Sequence, residues 1–166
     1  MNPFSNRLLA SVRAFQYHQE RRGPWHKFLR RMARVRHLFW SIITQSDIGL
    51  EAKLGSGLLL PHPNGVVIHE DARIGDDCMI MQQVTIGMIS DGEVPIVGNR
   101  VYIGAGAKVI GKVVIGDGAR VGANAVVLRD VPPNSTAVGI PARIIEHSIP
   151  QSVVSAGSST PQPPKV

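Results

Sequence analysis

At 166 residues, 43% of them hydrophobic but only 5% aromatic, the chain has room for one folded domain with a core of small and β-branched side chains. Its net charge of +6 is uneven: residues 1–45 carry nine Lys/Arg against Glu20 alone, and the other 121 residues sum to −2, so the body lacks the basic, aromatic-laced surface of a nucleic-acid binder. The single Cys78 excludes an internal disulfide, no apolar run approaches the roughly 20 residues that span a bilayer, and no leader pattern opens the chain, so a cytoplasmic location is expected.

Residues 3–43 read as two helices broken at Gly23-Pro24, with Pro24 as the first residue of the second. In that second helix Trp25, Phe28, Leu29, Met32, Val35, Phe39 and Ile42 recur at three- and four-residue steps, while Arg30, Arg31, Arg34 and Arg36 fall largely elsewhere. Residues 1–45 therefore form a basic amphipathic helical region. Its stripe is expected to pack within the protein's own assembly; attraction to anionic lipid, and so peripheral membrane association, is the alternative.

From Ile48 a six-residue period takes over, with an aliphatic residue at each start, usually glycine next, and a small or aliphatic residue fifth. It appears as Ile48-Gly-Leu-Glu-Ala-Lys, Ile74-Gly-Asp-Asp-Cys-Met, Ile103-Gly-Ala-Gly-Ala-Lys and Ile115-Gly-Asp-Gly-Ala-Arg, and it holds without slip from Val97 to Val127. Helices want a period of 3.6 and strands want 2, so neither explains it. A triangular coil of three short parallel strands per turn does, with the aliphatic side chains stacked inside. The phase breaks twice, by two extra residues near Asn64-Gly65-Val66-Val67 and by five between Ile86 and Val97. Breaks in a solenoid are loops, where binding concentrates. Residues 46–132 make the coil, 133–147 a C-terminal cap with Ala137–Ile145 as closing strand, and the Ser-, Pro- and Gln-rich 148–166 a disordered tail.

The stretch from Asp47 to Ile145 resembles the serine acetyltransferases and related sugar O-acetyltransferases of the hexapeptide-repeat superfamily. The residues that carry the likeness are Gly57-Leu-Leu-Leu-Pro-His-Pro-Asn-Gly-Val-Val-Ile68, Gln83-Val-Thr-Ile-Gly87, Ile103-Gly-Ala-Gly-Ala-Lys108 and Val131-Pro-Pro-Asn-Ser-Thr-Ala-Val-Gly-Ile-Pro-Ala-Arg143. The resemblance implies a mainly β protein built on a left-handed parallel β-helix, assembled as a homotrimer, with acetyl-CoA in the groove between neighbouring coils. It also implies that His62 is the catalytic base and Asp47 the aspartate that orients it. Ala105 and Ala123 are implied to line the CoA groove with their backbones; Lys108, Arg120 and Arg143 are candidate phosphate partners by charge.

The chemistry independently asks for such a pair. A hydroxyl attacks a thioester poorly unless a base takes its proton during attack, and imidazole titrates near operating pH. A carboxylate on the far ring nitrogen fixes the tautomer. No metal is expected, since thioester exchange needs none, and a zinc site of three histidines is disfavoured because the coil holds only His62 and His69.

The chain departs from the family at the acceptor site. The family's Asp-His-Ala-Thr-Gly loop is Pro61-His-Pro-Asn-Gly65 here, and its Arg-His-Pro aligns with Glu93-Val94-Pro95. In place of that arginine, Glu93 would repel a substrate carboxylate rather than hold it. The expected acceptor is therefore a sugar hydroxyl of exopolysaccharide, capsule or a related glycan. L-serine is the alternative, and a non-catalytic trimeric scaffold the alternative of another class.

Overall fold

The computed structural model describes residues 3–89 and 92–145. Helix α1 spans Pro3–Gln19 and α2 spans Pro24–Thr44. The strands, numbered in chain order, build three faces. Face one holds β1 (Asp47–Ile48), β3 (Val67–Ile68), β6 (Thr85–Gly87), β9 (Lys108–Ile110) and β12 (Val126–Val127). Face two holds β2 (Lys53–Leu54), β4 (Arg73–Ile74), β7 (Ile96–Val97) and β10 (Val114–Ile115). Face three holds β5 (Met79–Ile80), β8 (Tyr102–Ile103), β11 (Arg120–Val121), β13 (Thr136–Val138) and β14 (Arg143–Ile145). The chain visits the faces in rotation, and every pairing between coil strands is parallel except β13 with β14. This is the parallel β-helix that the six-residue period predicts.

Strand register shows where the period holds and where it fails. Partners lie 18 residues apart where the hexads run unbroken, as in Val67 with Thr85 and Lys108 with Val126. The separation is 20 for Asp47 with Val67 and 23 for Thr85 with Lys108, which matches the two loops read from the sequence. One change of phase was not legible there: Arg120 pairs with Thr136 only 16 residues on, because the turn before Val131 is shortened. The expected single closing strand is an antiparallel pair, β13 with β14. The proposed tail, 148–166, lies outside the described residues.

Hexad starts fill the interior. Ile68, Ile86 and Val109 stack under face one and Ile80, Ile103 and Val121 under face three, all 2% exposed or less. The small fifth positions close the corners: Ala52, Ala72, Ala107, Ala119 and Ala125 are fully buried. Cys78 belongs to that set. It is fully buried, and that burial pushes its thiol pKa up, as for a small core residue.

Helix α1 closes the first turn. Leu8, Leu9 and Val12 join the same core as Ile48, Ala52 and Leu60. The Gln16 side-chain amide donates to the Leu50 and Ala52 carbonyls at 2.9 and 2.8 Å, and the Ser5 hydroxyl donates to the Leu60 carbonyl at 2.7 Å. Helix α2 packs on α1 through Ala33, His37 and Thr44, small or polar groups that allow close approach. Among the described residues no helix is long and apolar enough to cross a membrane.

His37 lies between the Ser11 hydroxyl at Nδ1 (3.3 Å) and the Ser41 hydroxyl at Nε2 (3.4 Å), and burial lowers its pKa below the ordinary histidine value. Its unfolded form therefore binds a proton at higher pH than its folded form. This site contributes nothing unfavourable above the unfolded value near 6.5 and destabilises the helix pair as pH falls below it. Thermal midpoints measured from pH 7 to 5 should drop less steeply in His37→Gln than in the parent chain; equal slopes would contradict the assignment.

Candidate active site

The edge between face three and face one gathers most of the residues singled out from the sequence. Helix α2 ends in a left-handed turn at Gln45 (φ 52°), which delivers Asp47 to the start of β1. The next turn passes this edge through Pro61-His62-Pro63-Asn64-Gly65, where the two extra residues of the 20-residue register fall. Backbone bonds then stack the edge turn upon turn. Gly65 N–H donates to Gln45 O (2.7 Å), Gln83 N–H to Asn64 O (2.9 Å), Gly106 N–H to Gln82 O (2.9 Å) and Asn124 N–H to Ala105 O (2.8 Å). Asn64, Gln82, Ala105 and Ala123 thus mark successive levels of one column, with His62 two residues before Asn64 in the lowest of these turns. With strands about 4.8 Å apart, Asn64 and Ala123 are separated by about 14 Å.

The column is tight. A Cβ placed on Gly104 would stand 2.7 Å from the Ala123 nitrogen, closer than real side chains come. Glycine and alanine here leave the backbone bare along the edge, as a groove for a long, narrow ligand requires.

His62 is exposed, in a groove of about 370 Å³ that it shares with Phe4, Ile43, Thr44, Gln45, Pro63 and Asn64. The helices thus form one wall beside it, and the Ser5–Leu60 bond ties α1 to the foot of its loop. Asp47 is exposed on face one, next to the same edge. Among the described residues, no hydrogen bond or ion pair joins its carboxylate to His62. The Asp47 charge acts instead on His37, whose protonated form it favours against the larger effect of burial.

The three candidate cations lie higher on the coil. Lys108, on β9, donates to Gln83 O at 2.8 Å and to Thr85 Oγ1 at 3.1 Å, so its ammonium is anchored at this edge. Arg120, on β11, lies over the Tyr102 ring at 4.9 Å from its centroid, and Arg143 is exposed on β14 beside Val138. Sequence reasoning missed Gln82. Its side-chain oxygen is buried without a hydrogen-bond partner among the described residues, one level above His62 on the edge. Only its place beside the Gln83-Val-Thr-Ile-Gly87 run could have drawn notice.

The five-residue insertion falls on a different edge, between faces one and two. There Glu93 accepts from the Lys112 ammonium at 2.7 Å, and that contact raises the lysine pKa. Glu93, expected from the sequence to repel a substrate carboxylate, is thus paired with a lysine 19 residues on, at an exposed edge away from His62. Nothing in the hexad pattern announces that pairing. A wider groove, of about 650 Å³, lies between α1 and face two, lined by Gln16, Glu51, Lys53 and Asp76 among others, and none of the candidate site residues borders it. No group of three metal-ligating side chains converges among the described residues.

The bacterial transferase hexapeptide family (six repeats) matches residues 95–129. The serine acetyltransferase of Mycobacterium tuberculosis is 42% identical over 142 residues, covering 84% of this chain and 62% of that protein. The serine acetyltransferase of Escherichia coli K12 is 40% identical over 140 residues, covering 82% and 51%. Among solved structures, soybean serine acetyltransferase complexed with serine superposes with a TM-score of 0.74 at 37% identity, covering 87% of this chain and 58% of that one. A serine acetyltransferase in complex with CoA gives the same TM-score at 34% identity. The chain thus spans about half to three-fifths of the length of the relatives it matches. The repeat and the coil thus agree with the hexapeptide match over residues 95–129, and over most of its length the chain is similar to serine acetyltransferases.

Proposed function

We propose that the chain is an acetyl-CoA-dependent O-acetyltransferase with His62 as general base and L-serine as acceptor. In the reaction the His62 imidazole takes the proton from the acceptor hydroxyl as its oxygen bonds to the thioester carbonyl carbon. The carbon–sulfur bond then breaks, and the imidazolium returns the proton to the departing CoA thiolate. Ester and free CoA thiol are the products. Asp47, which the family resemblance implies as the positioning residue, stands beside the same edge without touching the imidazole, so that role requires the His62 side chain to turn toward it. CoA lies along the Ala105–Ala123 edge, and Lys108, Arg120 and Arg143 supply positive charge to its phosphates.

The observation that carries this reading is 42% identity over 142 residues, 84% of the chain, to a serine acetyltransferase. The soybean protein that superposes on the chain is itself complexed with serine. This support moves the acceptor from the sugar expected from the sequence to L-serine. The main objection, Glu93, bears less on His62 than the sequence implies, because its carboxylate is paired with Lys112 on a different edge of the coil. The sugar reading keeps one specific support, the Glu93-Val94-Pro95 run where the family has Arg-His-Pro.

In a single chain the His62 edge has no second wall beyond the helices, which supports a homotrimer whose neighbouring coil completes the groove. Release of CoA thiol by the purified protein, assayed with L-serine and with a panel of sugars and nucleotide-sugars, tests the acceptor. Serine should give the fastest turnover; a sugar that outruns serine overturns the acceptor assignment.

A further inference from the structure

The apolar stripe of α2 points away from the protein's own body. At about 100° per residue, Leu38, Ile42, Val35, Phe28, Phe39, Met32, Trp25 and Ile43 fall within an arc of about 140°, opposite Ala33, His37 and Thr44. The inward residues are buried, whereas every member of the outward arc is at least 46% exposed, Ile42 67% and Trp25 66%. A helix of 21 residues carries this stripe over about 31 Å. Helix α2 rests on α1, which itself closes the coil, so the stripe forms the outermost surface at that end.

Charge decides what covers it. Lys27 and Arg36 flank the arc and Arg31 falls just inside its Leu38 border, all three exposed, and Arg34 lies beyond Lys27 with its guanidinium over Phe15 at 5.3 Å. At the α1–α2 turn a further groove is lined by His18, Arg21, Arg22, Lys27 and Arg30, with no carboxylate among its residues. Residues 21–46 contain no acid at all. A second copy laid face to face on the stripe would bring like charges together. An anionic lipid surface instead meets the apolar arc with acyl chains and the flanking cations with phosphate.

We propose that α2 docks this protein on membranes bearing anionic phospholipid, with Trp25, Phe28, Phe39 and Ile42 inserted at the acyl boundary and Lys27, Arg31 and Arg36 at the headgroups. Three copies assembled with their coils side by side would present three such helices at one end and strengthen the attachment through multivalency. That addition rests on the homotrimer proposed above, whereas the docking of a single helix does not. Docking would place the His62 edge close to a bilayer surface.

The test is co-sedimentation of the full chain with phosphatidylcholine vesicles, with and without phosphatidylglycerol, alongside sedimentation velocity without lipid. A Trp40→Phe background leaves Trp25 as the only tryptophan, and its emission should shift to the blue on anionic vesicles alone. Each cation removed should weaken partitioning about five-fold, so Lys27→Gln/Arg31→Gln/Arg36→Gln together should lower it roughly a hundred-fold. Phe28→Ser/Phe39→Ser should lower partitioning without altering charge, and neither variant should change the sedimentation coefficient. Failure to bind anionic vesicles, or equal binding to neutral ones, overturns the proposal. So does a fall in particle mass on Phe28→Ser/Phe39→Ser, which would show that a second copy covers the stripe.

Discussion

Replacing His62 with alanine should lower acetyl-CoA-dependent turnover by about 10²- to 10⁴-fold while leaving CoA affinity and particle mass unchanged. The range is that of a lost general base. The side chain is exposed in a loop whose backbone is held from both sides, by Gln45 below and Gln83 above, and whose foot is held by Ser5, so its removal opens no core cavity. The loss should fall on kcat, because the proton moves only in the transition state. Activity near the parent level would assign the base elsewhere. A weakened CoA complex would instead mean that His62 binds the cosubstrate.

Ile103→Ala should cost about 2–5 kcal/mol of stability, the range for truncating a fully buried aliphatic side chain. Ile103 is fully buried on face three, its strand paired with β5 below and β11 above, directly before the turn that carries Ala105. A coil stacks one hexad start on the next, so the cavity removes contacts from Ile80 and Val121 together. Neighbouring turns share a rigid ladder and cannot collapse into the space. Denaturant midpoints compared at one protein concentration check this, since oligomerisation would otherwise shift them. A loss below 1 kcal/mol would show that the interior relaxes far more than this packing implies.

Much of the fold was legible because a coil repeats one local rule. An aliphatic start and a small fifth residue fix both the buried stack and the corners, and the two insertions near Asn64 and after Ile86 appear as the 20- and 23-residue registers. The shortened turn before Val131 escaped notice because its residues fit no hexad on either side. Periodicity also found the stripe on α2 but could not say which way it faces. The helix packs inward through Ala33, His37 and Thr44 with Trp40 partly buried beside them, an inner face of mixed groups that a hydrophobic pattern alone does not pick out. The ion pair of Glu93 with Lys112 joins a loop to the next turn, and no local pattern reveals such a contact. His62, Ala105, Lys108 and Ala123 were picked by resemblance. The stacked turns align them on one edge with Gln82, whose unpartnered oxygen becomes visible only once the coil is built.

The central claim is that this edge is where acetyl transfer occurs, and a crystal structure of the full chain with CoA tests it most directly. The cofactor's sulfur should lie within hydrogen-bonding reach of His62, with the pantetheine arm running past Gln82 and Ala105 toward Ala123. CoA seated instead in the groove between α1 and face two, among Gln16, Lys53 and Asp76, would contradict the account.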